Sequence, residues 1–121
     1  MSTEAAAAKL SFEAGRVIET SSANTFADGL AVRAPIPEAF ELYARGADRV
    51  VSVSESEIAN AIRIYYRDTH NLTEGAGAAA LAALLQEREA MQGKEVGLIL
   101  SGGNIDLGVY SDILAAAPAE Q

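Results

Sequence analysis

Near the end of the chain the run Val96-Gly97-Leu98-Ile99-Leu100 is apolar at nearly every position and ends on Ser101-Gly102-Gly103-Asn104. A strand with one wet face alternates apolar and polar residues, whereas an unbroken apolar run suits a strand covered on both faces, as in a parallel sheet layered with helices. Helical patterns precede it, and strands that alternate with helices make the expected class α/β. Ligands of such sheets gather beyond the carboxyl ends of the strands, which directs attention to Ser101 and its glycines.

Upstream the same grammar repeats. Residues 4–14 are alanine-rich with Gly15 following, a helix and its left-handed stop. Residues 18–33 mix Ser, Asn, Asp and Gly and predict irregular structure, with Thr25-Phe26-Ala27-Asp28-Gly29-Leu30 a structured loop. Pro37 through Arg45, closed by Gly46, predicts a short helix with proline at its first position. Arg49 to Val53 is β-branched and predicts a strand. Ser54-x-x-Glu57 is a capping box, and Ile58, Ala61, Ile62 and Tyr65 continue it as a helix over about 55–68. Asn71-Leu72-Thr73 reads as a very short strand, and Leu81, Leu84 and Leu85 mark a further helix ending near Gly93. The expectation is parallel strands at 49–53 and 95–101 joined through helices, with Ser101 at a carboxyl end.

Composition removes several kinds of chemistry. There is no cysteine and one histidine, so disulfides, thiolate nucleophiles and the usual zinc sites are out of reach. Seventeen acids against nine bases give a net charge of −8, which argues against a nucleic-acid partner. The longest apolar-rich stretch, Gly75 to Leu85, is too short to span a bilayer, and no basic-then-apolar leader opens the chain, so the expectation is a cytoplasmic location with no membrane partner.

Two glycine-bearing loops stand out. Gly75-x-Gly77-x-x-Ala80 fits the relaxed dinucleotide fingerprint, but the strand before it is too short and no ribose-binding acid follows; close helix–strand packing explains the glycines as well. Ser101-Gly102-Gly103-Asn104 places a hydroxyl where a ligand would meet a sheet, and a plain tight turn would have the same residues.

Taken in order, Thr25-Phe26-Ala27-Asp28-Gly29-Leu30-Ala31-Val32, then Glu74-Gly75-Ala76-Gly77-Ala78-Ala79-Ala80-Leu81, then Leu100-Ser101-Gly102-Gly103-Asn104-Ile105-Asp106 resembles the C-terminal third of fold type II pyridoxal-phosphate enzymes, the threonine dehydratases and serine racemases. The resemblance covers residues 4–108. It implies a single segment, residues 1–121, from the three-layer large domain, with 109–121 a weakly structured or helical tail. It also implies pyridoxal 5'-phosphate as cofactor, a small hydroxy amino acid as substrate and a homo-oligomer. By motif match Ser101 would hydrogen-bond the pyridine nitrogen, with Gly102 beside it. Gly29 would lie at the phenolic oxygen with Asp28 adjacent, and Glu74 would face the cofactor. A hydroxyl partner withdraws fewer electrons from the ring than an aspartate would, which suits β-elimination better than transamination. Glu74 could instead be only an acid at a helix N-terminus, and Asp28 an Asx-turn residue.

The departures carry equal weight. The family holds its cofactor as a Schiff base on a lysine in a serine-phenylalanine-lysine segment and seats the phosphate in a tetraglycine loop, and neither segment occurs here. Lys9 and Lys94 are the only lysines, and neither matches the catalytic position. Some relatives bind a divalent metal through acids whose places fall on Ser2 and Ala8, so no metal site is expected. The chain is thus expected to be an incomplete enzyme, a fragment or truncated frame of a dehydratase with no catalytic residue of its own, or else a non-catalytic α/β module descended from one.

Overall fold

The capping box forms as the spacing requires. Ser54 Oγ accepts from the Glu57 amide at 3.2 Å, the Glu57 carboxylate accepts from the Ser54 amide at 2.7 Å, and a helix runs from Glu55–Ile64 (α3). The structure is a computed structural model, and it describes residues 1–116; the end of the expected tail, 117–121, lies outside the described residues. Four further α-helices are Ala7–Ala14 (α1), Pro37–Gly46 (α2), Gly75–Gln86 (α4) and Leu107–Ala115 (α5).

The predicted stops and starts hold with local adjustments. Gly15 closes α1 at φ 66°, a conformation that a side chain would strain. Pro37 opens α2 as expected, but Gly46 is its last helical residue and Ala47 caps it, because the Ala47 amide still reaches the Tyr43 carbonyl at 2.9 Å. The predicted 55–68 helix changes character partway: beyond Ile64 it widens into a π-helical turn, Tyr65–Thr69, closed by His70 at φ 57°. In that turn the Tyr66 ring meets Tyr110 of α5 edge-on at 6.2 Å. The helix expected to end near Gly93 is α-helical only to Gln86; residues 87–93 continue as turns, with Gly93 at φ 75°.

The expected parallel strands do not form within the described residues. The one β-pairing is an isolated parallel bridge between Ser2 and Val53, in which the Val53 amide donates to the Met1 carbonyl at 2.8 Å and the Thr3 amide to the Val53 carbonyl at 2.9 Å. Residues 95–101 are neither helix nor strand, and Asn71-Leu72-Thr73 forms no strand either. The reason is that a strand is a pairing: β-branched and apolar residues permit the extended backbone, but a ladder needs a neighbour about 4.8 Å away to accept its amides. With none alongside, Val96 and Ile99 stand 43% and 77% exposed where a two-sided strand would be covered.

The core is built instead by α3 lying along α4. Ile58, Ala61 and Ile62 of α3 are fully buried against Ala78 and Ala82 of α4, with Val53, Ala27 and Tyr110 completing the cluster. The alanines let the helices approach closely, and the two isoleucines supply most of the apolar volume, each contributing roughly 1.5–3 kcal/mol by burial. This pair also fixes the start of α4, around which the candidate site residues gather.

Candidate cofactor site at the start of α4

Glu74 is the N-cap of α4, extended at φ −83°, and its side chain makes no capping hydrogen bond. Its backbone amide donates to the Gly102 carbonyl at 3.1 Å, and the fully buried Thr73 hydroxyl donates to the same carbonyl at 3.2 Å. Two donors from the head of α4 thus tie down the Ser101-Gly102-Gly103 loop. The glycines are required here by proximity. A Cβ on Gly77 would stand 2.5 Å from the Gly102 carbonyl oxygen and 2.7 Å from Thr73 Oγ1, and one on Gly102 would stand 2.6 Å from Glu74 Oε1. A side chain at Gly77 would drive the loop off the helix, and one at Gly102 would displace the Glu74 carboxylate.

The Thr25–Leu30 segment closes the other side. Ala27, fully buried, packs over the first residue of α4: a Cβ on Gly75 would meet the Ala27 Cβ at 2.8 Å. Asp28–Leu30 is a single 3-10 turn, and a Cβ on Gly29 would come within 2.9 Å of the Ala76 Cβ. Two stretches far apart in the chain therefore converge on residues 74–77.

Of the residues singled out from sequence, Gly29, Glu74 and Gly102 come to this one end of α4. Ser101 directly precedes Gly102 and is exposed, as is Asp28. Lys9 lies on α1 in an ion pair with Glu13 at 2.5 Å, and Lys94 is exposed beyond α4. Ser2 is buried, its hydroxyl donating to Glu55 at 2.5 Å. No group of three His, Asp or Glu side chains converges among the described residues. Sequence reasoning missed Thr73, whose position directly before a helix start was the available signal, and Gly77 as the contact of Gly102. A cleft of about 190 Å³ between α3 and the far end of α4, near Asn60 and Leu85, is lined by none of these residues.

The sequence pattern of pyridoxal-phosphate dependent enzymes matches residues 2–102. The chain belongs to that family. L-threonine ammonia-lyase of Thermotoga maritima is 38% identical to it over 104 residues, covering 86% of this chain and 26% of the relative. Threonine deaminase isoform 2 of Solanum lycopersicum, in its processed form, superposes with a TM-score of 0.85 at 30% identity over 96% of this chain and 35% of the other. Serine racemase of Dictyostelium discoideum does so with a TM-score of 0.78 at 32% identity over 88% and 34%. The chain spans about a quarter to a third of the length of the curated relatives it matches.

Family membership implies pyridoxal phosphate in the complete enzyme. The groups gathered at this end of α4 are an exposed hydroxyl at Ser101, a carboxylate at Glu74, and backbone without side chains at Gly29 and Gly102. No helix of the described residues is long and apolar enough to cross a membrane.

Proposed function

We propose that this chain supplies the ring-binding part of a pyridoxal-phosphate dependent threonine or serine ammonia-lyase, which converts a hydroxy amino acid to a 2-oxo acid and ammonia. The convergence of Gly29, Glu74 and Gly102 on the first turn of α4, with Ser101 one residue away, supports this reading most directly. The names of its relatives, L-threonine ammonia-lyase and threonine deaminase among them, point to the same chemistry. When bound, pyridoxal phosphate supplies an electron-withdrawing ring that acidifies the amino acid's α-position.

The chain's residues bind and tune. Ser101 offers its hydroxyl to the ring nitrogen and leaves that nitrogen less cationic than a carboxylate would. Gly29 and Gly102 let their segments close on the start of α4, and Glu74 contributes negative charge beside them. The α-proton has to be moved by an amine near its working pKa; Lys9 is engaged by Glu13 and Lys94 precedes an exposed segment, so neither takes that role. The 121-residue chain alone is therefore expected to be inactive, and a cytoplasmic homo-oligomer remains part of the reading.

The test is ammonia release from threonine and from serine with added pyridoxal phosphate, for the wild-type chain and Ser101→Ala. The expected rate equals that of free cofactor in both. Turnover well above it that falls with Ser101→Ala would overturn the view of the chain as catalytically incomplete.

A further inference from the structure

Glu55, the first residue of α3, gathers three hydrogen bonds on its carboxylate. Ser2 Oγ donates to Oε1 at 2.5 Å, Thr25 Oγ1 to the same oxygen at 2.7 Å, and the Phe26 amide to Oε2 at 3.0 Å. Thr25 Oγ1 in turn accepts from the Ala27 amide at 3.1 Å. Ala27 is the residue pressed against Gly75, and the turn after it sets Gly29 against Ala76. A continuous path thus leads from the Glu55 carboxylate through Thr25 and Ala27 to the first turn of α4.

We infer that Glu55 is a positioning residue: its carboxylate holds the Thr25–Leu30 segment, and with it Gly29, in place against the start of α4 beside Glu74. An ionised carboxylate suits the post best. All three partners donate, and both oxygens are needed because the two hydroxyls share one and the Phe26 amide takes the other. A glutamine keeps the shape but is neutral: with its carbonyl toward the Phe26 amide, its NH2 has to be accepted by the Ser2 and Thr25 hydroxyls, which already accept from the Glu4 and Ala27 amides, and the charge assistance is lost. Acceptance by an ionised group makes these bonds stronger than neutral ones. Being the first residue of α3, Glu55 also stands where the helix dipole favours negative charge. The α3–α4 packing carries its position to the site, since Ile58 and Ile62 of the same helix are buried against α4.

The consequence for cofactor binding rests on the reading above; the positioning itself does not. The experiment is backbone amide hydrogen exchange on the full chain without cofactor, for wild type, Glu55→Gln, Thr25→Val and Thr25→Ser. In Glu55→Gln and Thr25→Val the amides of residues 26–30 are expected to exchange roughly tenfold faster or more, while those of Ile58–Ile62 and Ala78–Ala82 change about twofold or less. Thr25→Ser keeps the hydroxyl and should exchange like wild type. Unchanged exchange at 26–30 in Glu55→Gln, or an equal rise throughout the chain, would overturn the inference. Should Glu55→Gln fail to fold, the Thr25→Val and Thr25→Ser pair decides in the same way. Titration with pyridoxal phosphate forms a separate arm, with about tenfold weaker binding expected in Thr25→Val. Failure of the wild-type chain to bind the cofactor would strike the functional reading and leave the exchange result standing.

Discussion

Glu74 Oε1 lies over the Cα of Gly102, 2.6 Å from where a Cβ on that residue would be. The same glycine's carbonyl lies 2.5 Å from where a Cβ on Gly77 would be. These contacts differ in what can yield. A carboxylate at the end of a flexible side chain can swing aside, whereas the Gly102 carbonyl is held by the Glu74 amide and the Thr73 hydroxyl. Gly77→Ala is therefore expected to destabilise the chain by about 1–3 kcal/mol, and Gly102→Ala by less. Urea unfolding midpoints of the two variants check the order, and Glu74→Ala should relieve Gly102→Ala without relieving Gly77→Ala.

Tyr110 is 7% exposed and its hydroxyl, buried within the contact between α5 and the π-turn, has no hydrogen-bond partner among the described residues. Burial, and then the neighbouring Tyr66, hold its phenol above the ordinary range. An unpaired buried hydroxyl costs about 1–3 kcal/mol, so Tyr110→Phe should leave stability unchanged or raise it. Tyr110→Ala removes the ring as well and is expected to lose about 3–5 kcal/mol. Thermal unfolding of both variants gives the comparison.

Arg49, beside the bridge segment, donates to both carboxylate oxygens of Glu87 just past α4, one at 3.0 Å and the other at 2.5 Å. The hydrogen bond from Arg49 holds the Glu87 carboxyl below its usual range and raises the guanidinium. A carboxyl depressed in the folded state contributes stability that is present above its unfolded pKa, about 4.3, and is lost as pH falls through the folded value. Wild type is therefore expected to lose more stability than Glu87→Gln between about pH 6 and pH 3, and the difference should shrink in high salt. Denaturant unfolding across that interval measures it.

Residues 95–101 leave Val96 and Ile99 bare, and Leu107 is 81% exposed just beyond them. An extended apolar segment without a neighbour tends to pair with another. Sedimentation should show concentration-dependent association, and Ile99→Lys should reduce it by adding charge at the centre of the segment. A wild-type monomer at high concentration that binds no hydrophobic dye would refute this.

The helices were legible because their signals are local. The capping box at Ser54 and Glu57, Pro37 at a first turn and Gly15 as a left-handed stop each act within a few residues, and each is realised. The segments at 49–53 and 95–101 have strand composition, yet strand formation depends on neighbours that no local pattern specifies. Gly29, Glu74 and Gly102 were found through ordered motifs, and the structure brings them together around α4. Thr73 and Glu55 were not singled out. Their significance lies in partners 29 and 30 positions away, Gly102 and Thr25, and nothing in the local pattern of either predicts that partner. The widening into a π-turn at Tyr65 likewise coincides with a contact to α5 rather than with any breaker residue.

The bridge at Ser2 and Val53 also bears on the order of assembly. The Met1 amino group reaches the Val51 carbonyl at 2.9 Å across fifty positions of chain, whereas α3 and α4 are separated only by the π-turn and a short extended stretch. Closing a long loop costs more entropy than closing a short one, and contacts distant in sequence slow folding. The α3–α4 hairpin is thus the natural nucleus, and the opening residues dock onto it across one of the longer closures of the fold. When they dock, Ser2 reaches Glu55 and completes the set of donors around it. The docking of the first residues and the finishing of the Thr25–Leu30 segment are in that sense a single event.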